Sequence, residues 1–92
     1  MVYFTWDPKK ELINQVKHGV DFSTASQAFR DPERKIFTNP KHSGAEERYF
    51  CLGKTGNRIL TVRFVYRGNE IRIIGAGYWR KGRRLYYEKK KT

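Results

Sequence analysis

Arginine residues in two neighbouring apolar segments are the first candidates for chemistry in this sequence. Arg63 and Arg72 each alternate with apolar residues, which places them on the less apolar side of adjacent predicted strands. A guanidinium can hold two phosphate oxygens at once, so the pair could bind a phosphate and stabilise charge on it. Cross-strand packing or solvated charge would produce the same pattern. Arg48 is a third candidate, although Glu46 and Glu47 beside it could simply pair with it.

Two residues compete as a general base for proton transfer. The candidates are Glu47 and His18. A Glu side chain in general is ionised at neutral pH but is a weak base, whereas the His side chain in general has a pKa closer to neutrality. Each also has a simpler interpretation. Lys17-His18-Gly19 has the composition of a helix C-terminus, and Glu47 could form an ion pair with its neighbour. His42, in a polar loop, is a weaker candidate.

The sequence predicts neither a metal site nor a bound cofactor. No group of His, Cys and carboxylate residues has metal-ligand spacing. The glycine-rich segment 53–57 lacks the helix and the Lys-Ser/Thr ending of a phosphate-binding loop. Cys51, the single cysteine, alternates within an apolar run without an activating base nearby, so it is predicted to be a core thiol.

The charge balance is the strongest compositional signal. The 92 residues include 20 Lys and Arg but only 9 Asp and Glu, which gives a formal net charge of +11. This excess favours a polyanionic partner, either a nucleic acid or an acidic protein. The length suits a single domain over residues 1–92. One cysteine, no signal-peptide pattern and no apolar run of membrane-spanning length indicate a cytoplasmic protein without a membrane partner.

A β-hairpin is predicted to carry the two arginines. Residues 58–66 form the longest β-branched and aromatic run, residues 67–69 break it, and residues 70–74 resume the alternation. The cleaner apolar side of the first strand consists of Leu60, Val62, Phe64 and Tyr66. The sheet is therefore expected to have one side for packing and a second side that presents cations.

Helices are predicted before and after this hairpin. A strand over residues 2–6 is followed by a helix that begins at Asp7-Pro8 and ends at His18-Gly19. The apolar stripe expected to face the core consists of Leu12, Ile13 and Val16. The remaining elements are a shorter helix capped by Asp21 or Ser23, a strand near residues 34–38, a loop at 39–44, a strand at 46–52, a turn at 53–57 and a basic helix after Tyr78.

Several short motifs occur in a fixed order along nearly the whole chain. They are Phe4-Thr5-Trp6-Asp7, Asn14, Lys17-His18-Gly19, Phe22, Glu46-Glu47-Arg48, Ile71-Arg72-Ile73-Ile74 and Tyr87-Glu88. Each motif is weak alone, but the ordered set is specific, and the chain resembles the BrnT toxins. The resemblance implies a RelE-like α+β fold in which N-terminal helices pack on a curved antiparallel sheet and a basic helix ends the chain.

The resemblance also implies a function, that of a ribonuclease toxin in a type II toxin–antitoxin system. Its RNA cleavage would need no metal, and a small DNA-binding antitoxin, BrnA-like, would neutralise it. DNA would be contacted only through this antitoxin. Because such antitoxins dimerise to match DNA symmetry, a heterotetramer or a larger complex is expected.

Metal-free RNA cleavage assigns expected roles to the candidate residues. A base activates the ribose 2′-hydroxyl, cations hold the phosphate and an acid protonates the leaving 5′-oxygen. The expected catalytic residues are Arg63, Arg72, Glu47 and His18. The expected substrate-binding residues are Arg48, Arg80, Tyr87 and Lys54. Tyr86 or Tyr87 could stack on a base, although helical spacing makes one of them a core residue.

The chain departs from the family pattern after Ile74. Where the family has Ser-Ala-Arg, this sequence has Gly75-Ala76-Gly77, and Arg83 stands where an acidic residue is expected. Glycine supplies no phosphate-stabilising donor, so either a weakened nuclease or a replacement by Arg80 is expected. The alternative function is a weakly active or inactive subunit that mainly binds its antitoxin and contributes to repression of its operon.

Overall fold

The structure is a computed structural model that describes residues 2–39 and 46–88. Its elements are β1 (Tyr3–Trp6), α1 (Pro8–His18), α2 (Phe22–Gln27), a 3₁₀ turn (Ala28–Arg30), β2 (Lys35–Thr38), β3 (Arg48–Thr55), β4 (Arg58–Arg67), β5 (Glu70–Gly77) and α3 (Arg80–Tyr87). This order confirms the predicted α+β fold with N-terminal helices and a C-terminal basic helix. None of the described helices is long and apolar enough to cross a membrane.

The five strands form one sheet in the order β1-β5-β4-β3-β2. Strands β2 to β5 pair antiparallel, as predicted. Strand β1 runs parallel to β5 and pairs Phe4 with Ile71, so the predicted antiparallel sheet also contains one parallel pair. Helices and other strands connect β1 to β5, and such a crossover allows a parallel pair where a tight hairpin does not.

The glycine-rich segment after β3 is mostly strand rather than turn. The prediction of a turn over residues 53–57 is wrong for its first three residues, which pair with β4. Only Gly56 and Asn57 form the turn, and Gly56 has a φ of 61°. Gly53 lies in the strand for a packing reason, since a Cβ there would be 2.1 Å from the Ala28 carbonyl oxygen.

The main core lies between one side of the sheet, here called the core face, and the layer of α1, α2 and the 3₁₀ turn. The buried strand residues of this face are Cys51, Leu60, Val62, Phe64, Ile71, Ile73 and Ala76. Tyr66 shares the face but is 47% exposed. Phe22 of α2 is fully buried against these strands. Burial raises the pKa of the Cys51 thiol to about 12, so the prediction of a core thiol is confirmed.

Helix α1 turns its apolar stripe to solvent, so the prediction that this stripe faces the core is wrong. Leu12, Ile13 and Val16, here called the α1 stripe, are 62%, 54% and 81% exposed. Asn14 is the buried residue of the helix. Periodicity could not distinguish the two arrangements, because an apolar stripe that meets another protein has the same spacing as one that meets the core.

Two polar side chains attach α1 to the rest of the fold. Asn14 donates from Nδ2 to the carbonyls of Val20 and Ala76 at 3.0 and 2.9 Å, and its Oδ1 accepts from the Ala76 N–H at 3.0 Å. Since β1 ends before this part of β5, the side-chain amide replaces a neighbouring strand at Ala76. Glu11 Oε2 accepts a hydrogen bond from the Phe22 N–H at 2.9 Å.

Helix α3 covers part of the other side of the sheet. A second, smaller cluster forms there from Leu52, Ile59, Leu85 and Tyr86. Gly82 allows the helix to lie close to β4, since a Cβ at this position would be 2.0 Å from the Thr61 hydroxyl. Burial of Tyr86 confirms that one of the paired tyrosines belongs to the core, while Tyr87 is 54% exposed.

Polar contacts anchor the end of α3. The Lys35 ammonium donates to the carbonyls of Leu85 and Glu88 at 2.9 and 2.6 Å, and the Tyr86 hydroxyl donates to Asp31 Oδ2 at 2.5 Å. Burial acts to raise the pKa of Asp31, but hydrogen bonds from Tyr86 and from two backbone N–H groups lower it overall. Burial and the same carboxylate raise the pKa of Tyr86.

Candidate active site on the arginine face

Three arginines share the side of the sheet that faces away from the main core, here called the arginine face. Arg48 pairs with Val65 and Val65 pairs with Arg72, so the two arginines flank one valine across three strands. Arg63, two residues before Val65, lies on the same side at a diagonal spacing of about 7–8 Å from Arg48. The alternation of residues thus predicted correctly that Arg63 and Arg72 share a face.

Arg63 lies across the small residue Gly75 of β5. A Cβ at Gly75 would be 2.3 Å from Arg63 Nη2, so the guanidinium occupies the space that a side chain would fill. The Nε of Arg63 is buried and has no hydrogen-bond partner among the described residues. An unsatisfied buried donor costs roughly 1–3 kcal/mol. A ligand that accepts a hydrogen bond at Nε would recover that free energy.

Glu46 is the carboxylate next to these arginines. It forms a bidentate ion pair with Arg67, in which the Nε–Oε2 and Nη2–Oε1 distances are both 2.8 Å. This hydrogen bonding, together with the charges of Arg67, Arg48 and Arg72, lowers the pKa of Glu46. The sequence pattern indicates Glu46 only as an ion-pair partner of Arg48.

Glu47 is directed away from the arginine face. Its Oε2 accepts a hydrogen bond from the Tyr49 hydroxyl at 3.2 Å. Tyr49 stacks on Phe64, a residue of the core face, with ring centroids 5.6 Å apart. The structure therefore does not bring Glu47 together with Arg63 and Arg72.

His18 contacts Trp79 at the end of α1. Their rings meet edge to face, with centroids 5.1 Å apart. Trp79 lies against Gly77, where a Cβ would be 2.8 Å from the indole ring. The space that the family's arginine would enter at Gly77 is thus filled by an indole, just as the space above Gly75 is filled by the Arg63 guanidinium.

Lys81, and not Arg80, is the cation that α3 brings toward the arginine face. A groove of about 540 Å³, here called the aromatic groove, runs between β2, β3 and α3. Its lining includes Phe37, Phe50, Thr61, Trp79, Lys81 and Leu85. Arg80 lines a separate cleft with Arg58 and Tyr78, where the Arg58 guanidinium lies 3.7 Å from the centre of the Tyr78 ring. The expected replacement of the missing arginine by Arg80 does not match this placement.

The other predicted substrate-binding residues lie apart from the three arginines. Tyr87 is on the outer side of α3, where the Arg83 guanidinium lies 5.6 Å from the centre of its ring. Lys54 is exposed near the end of β3, and its backbone N–H donates to Asp31 Oδ2 at 2.8 Å. His42 lies outside the described residues.

Trp79, Lys81 and Glu46 are the residues of this site that sequence reasoning missed. A tryptophan two residues after a glycine could have signalled a ring lying on a strand. Nothing in the local pattern of α3 distinguishes Lys81 from the other cations of that helix, because its position depends on how α3 packs. The contacts of Glu46 come from strands distant in sequence.

The fold and the site define a class of protein, a small and strongly basic α+β domain with an arginine-bearing sheet face suited to a polyanion. Within residues 2–39 and 46–88, no group of three or more His, Cys, Asp and Glu side chains could hold a metal ion. Residues 6–82 match the family model of BrnT, the ribonuclease toxin of type II toxin–antitoxin systems. The chain belongs to this family, as the motifs in its sequence predicted. No individual curated protein matches it.

Membership of the family settles the general function. The protein is a ribonuclease toxin of a type II toxin–antitoxin system. Its substrate is therefore RNA, and its protein partner is an antitoxin.

Proposed function

We propose that the arginine face is the active site and that it cleaves RNA without a metal ion. The observation that supports this most strongly is the buried Nε of Arg63, which has no partner in the described parts of the chain. A phosphate bound there would accept a hydrogen bond from Nε and would be stabilised by the nearby charges of Arg48 and Arg72. The phosphodiester of RNA is the group that such donors fit.

The proposed reaction is an attack within the RNA strand. The ribose 2′-oxygen attacks the adjacent phosphorus, and the bond to the 5′-oxygen of the next nucleotide breaks. Arg63, Arg48 and Arg72 stabilise the negative charge that develops on the phosphate. Glu46 accepts the proton of the 2′-hydroxyl at a carboxylate lone pair that Arg67 does not use, and solvent supplies the proton for the 5′-oxygen. DNA would not be cleaved, because deoxyribose lacks the attacking hydroxyl.

The test of the active site is cleavage of a labelled RNA by the variant Arg63→Ala. Loss of one phosphate-stabilising donor typically lowers the rate by about 10²–10³-fold, and we expect a loss of this size. Arg84→Ala is the matched control, since it removes the same charge from an exposed position of α3 and should cleave like the wild type. Equal rates for both variants would place the active site elsewhere.

Two adjacent carboxylates allow a sharp test of the general base. Glu46→Gln should lower the rate of cleavage, because Glu46 lies beside the arginines. Glu47→Gln should have little effect, because Glu47 is bonded to Tyr49 on the other side. The opposite result would restore Glu47 as the base. Thermal unfolding of both variants separates a catalytic loss from a loss of the Glu46–Arg67 ion pair.

One observation favours the alternative function, a subunit with weak activity that mainly binds its antitoxin. The indole of Trp79 occupies the space above Gly77, so no cation acts from that position. Induced expression without the antitoxin distinguishes the two functions. Growth arrest with falling RNA integrity supports the nuclease, whereas normal growth despite folded protein supports the binding subunit and its part in repression of the operon.

We also propose that the α1 stripe is a docking surface for the antitoxin. The stripe is bordered by exposed lysines, Lys9, Lys10 and Lys17. Three aliphatic side chains do not suit RNA, and a second copy of this chain would bring like charges together. A segment of the antitoxin with both apolar and acidic residues matches the stripe and its border.

The variant Val16→Glu tests this docking surface. It should weaken antitoxin binding strongly while leaving RNA cleavage unchanged, because it places a charge in an apolar contact that faces acidic residues. Gln15→Glu introduces the same side chain beside the stripe and should bind the antitoxin almost like the wild type. If both variants bind normally, the antitoxin docks elsewhere.

We further propose that two copies of the chain and two antitoxin chains form a heterotetramer or a larger assembly in the cytoplasm. Antitoxins that bind DNA dimerise to match its two-fold symmetry, and each copy can hold one toxin. The mass of the purified complex tests the stoichiometry. A stable complex of one toxin and one antitoxin at micromolar concentration would contradict it.

A further inference from the structure

We propose that the aromatic groove is a nucleobase-binding subsite, which receives a base of the RNA while the neighbouring phosphate lies at Arg63. The proposal depends on the RNA-binding role of the arginine face and names the part of the RNA that binds beside it. It assigns a function to Phe37, Phe50 and Trp79.

The position of the groove connects it to the arginines. Phe50 pairs directly with Arg63 in the register of β3 and β4, so the aromatic lining begins next to the guanidinium. Lys81 supplies a cation to the same groove. A nucleotide whose phosphate sits at Arg63 therefore meets an aromatic surface on one side, which is how proteins bind single-stranded nucleic acid.

Two buried polar atoms favour a base over an aliphatic side chain of a protein. Arg63 Nε and Thr61 Oγ1 are both buried and have no hydrogen-bond partner among the described residues. Thr61 lines the groove, and Arg63 is two residues further along β4. An aliphatic side chain in the groove would leave both atoms unsatisfied. A nucleotide offers aromatic surface to the walls and places its phosphate beside the groove, at Arg63.

Trp79 is held in place to act as a stacking surface. One side of its indole lies on Gly77, and the edge-to-face contact with His18 limits its rotation. Trp79 as a whole residue still keeps 36% of its surface exposed. Gly77, which stands where the family has an arginine, makes this position of Trp79 possible, because only a residue without a Cβ lets the indole lie so close to β5.

The fluorescence of Trp79 provides a direct measurement of base binding. The background variant Trp6→Phe leaves Trp79 as the only tryptophan. The probe is a 2′-O-methyl RNA hexamer, which cannot be cleaved because its 2′-oxygens are blocked. We expect the hexamer to quench Trp79 and an abasic sugar–phosphate hexamer to leave its fluorescence unchanged.

Variants of the groove measure the contribution of stacking. Loss of one base–aromatic stack lowers affinity by roughly 5- to 150-fold, and we expect a loss in this range for Trp79→Leu and Phe50→Leu. Trp79→Phe retains a ring and should recover part of the affinity. Tyr3→Leu is the matched control, since Tyr3 is an exposed aromatic residue outside the groove.

The outcomes separate this subsite from the active site itself. If Arg63→Ala abolishes binding but the base-containing and abasic hexamers bind equally, the arginine face binds RNA and the nucleobase subsite is wrong. If neither Arg63→Ala nor the groove variants change binding, both proposals fail. If the antitoxin quenches Trp79 and the hexamer does not, the groove belongs to the protein partner and the proposal is overturned.

Discussion

The core face and the arginine face are built from the same strands but differ in how completely their side chains are satisfied. On the core face, the ring centroids of Phe29, Tyr66 and Tyr49 lie 5.0, 5.1 and 5.6 Å from that of Phe64. On the arginine face, the neighbouring residue Arg63 has a buried Nε without a partner in the described chain. Adjacent residues of β4 thus serve different tasks, because alternation sends one to each side.

This difference shows where stability and function reside in a small domain. The core face packs against α2 and the 3₁₀ turn, and no buried side-chain polar atom of its described residues lacks a hydrogen-bond partner. The arginine face is only partly covered by α3 and keeps an open groove beside its charges. The polar groups that can bind a ligand therefore lie on the arginine face, which contributes less to the packed core than the core face does.

The largest expected effect on stability comes from truncating Phe64, the residue of β4 that follows Arg63 and lies on the core face. Phe64→Ala should lower the free energy of unfolding by about 3–5 kcal/mol, the usual loss for a large aromatic residue in a core. Arg63→Ala should lower it far less, because an unsatisfied donor is removed along with the side chain. Urea denaturation measures both. Similar losses for the two variants would show that the faces are not energetically distinct.

A second prediction concerns the restored arginine at residue 77. Gly77→Arg should lower stability by about 1–3 kcal/mol, since the new side chain must displace the Trp79 indole from a packed position. Adding Trp79→Ala should recover much of the lost stability, because it clears the space. Thermal unfolding checks the pair, and additive losses would contradict the proposed clash.

A third prediction concerns acid, at the contact that ties α3 to the loop before β2. The pKa of Asp31 is lowered in the folded protein. Its contribution to stability is therefore present above the ordinary Asp pKa of 3.8 and is lost as the pH falls through the lowered value. Tyr86→Phe removes one of the hydrogen bonds that lower this pKa, so it should weaken the loss of stability below pH 4. Thermal unfolding as a function of pH is the measurement, with Tyr87→Phe as control.

The smallest effect is expected from the basic end of the chain. If about six phosphates are neutralised, the logarithm of RNA affinity should fall with the logarithm of salt with a slope of about −4 to −5. Deletion of residues 89–92 removes three lysines and should flatten the slope by about 2. The cleavage position should not change. A lost cleavage position with an unchanged slope would show that these residues belong to the site.

Much of the fold could be predicted because its signals are local. Asp7 caps α1, Gly19 ends it in a left-handed conformation, and the break at Gly68 turns the hairpin, all as the sequence predicted. The orientation of α1 could not be predicted, because it depends on hydrogen bonds from Asn14 to a strand that follows 62 residues later.

The candidate site was predictable to a similar, limited extent. Alternation was enough to place Arg63 and Arg72 on one face. Alternation did not show which of Glu46 and Glu47 lies beside the arginines, because the position of Glu46 depends on its ion pair with Arg67, which is distant in sequence. The role of Gly77 also depended on a neighbour, because its empty side is filled by Trp79 only once α3 has packed.

The bond between Asn14 and Ala76 has a consequence for how the protein behaves in a crowded solution. Beyond the end of β1, the last part of β5 has an unpaired edge, and exposed strand edges recruit other chains. The two-way hydrogen bond from the Asn14 amide occupies that edge. If α1 moved away from the sheet, the edge of β5 at Ala76 would be exposed. A strand of another chain could then pair with it. Asn14 thereby covers the edge of a glycine-containing strand at the point where β1 no longer does.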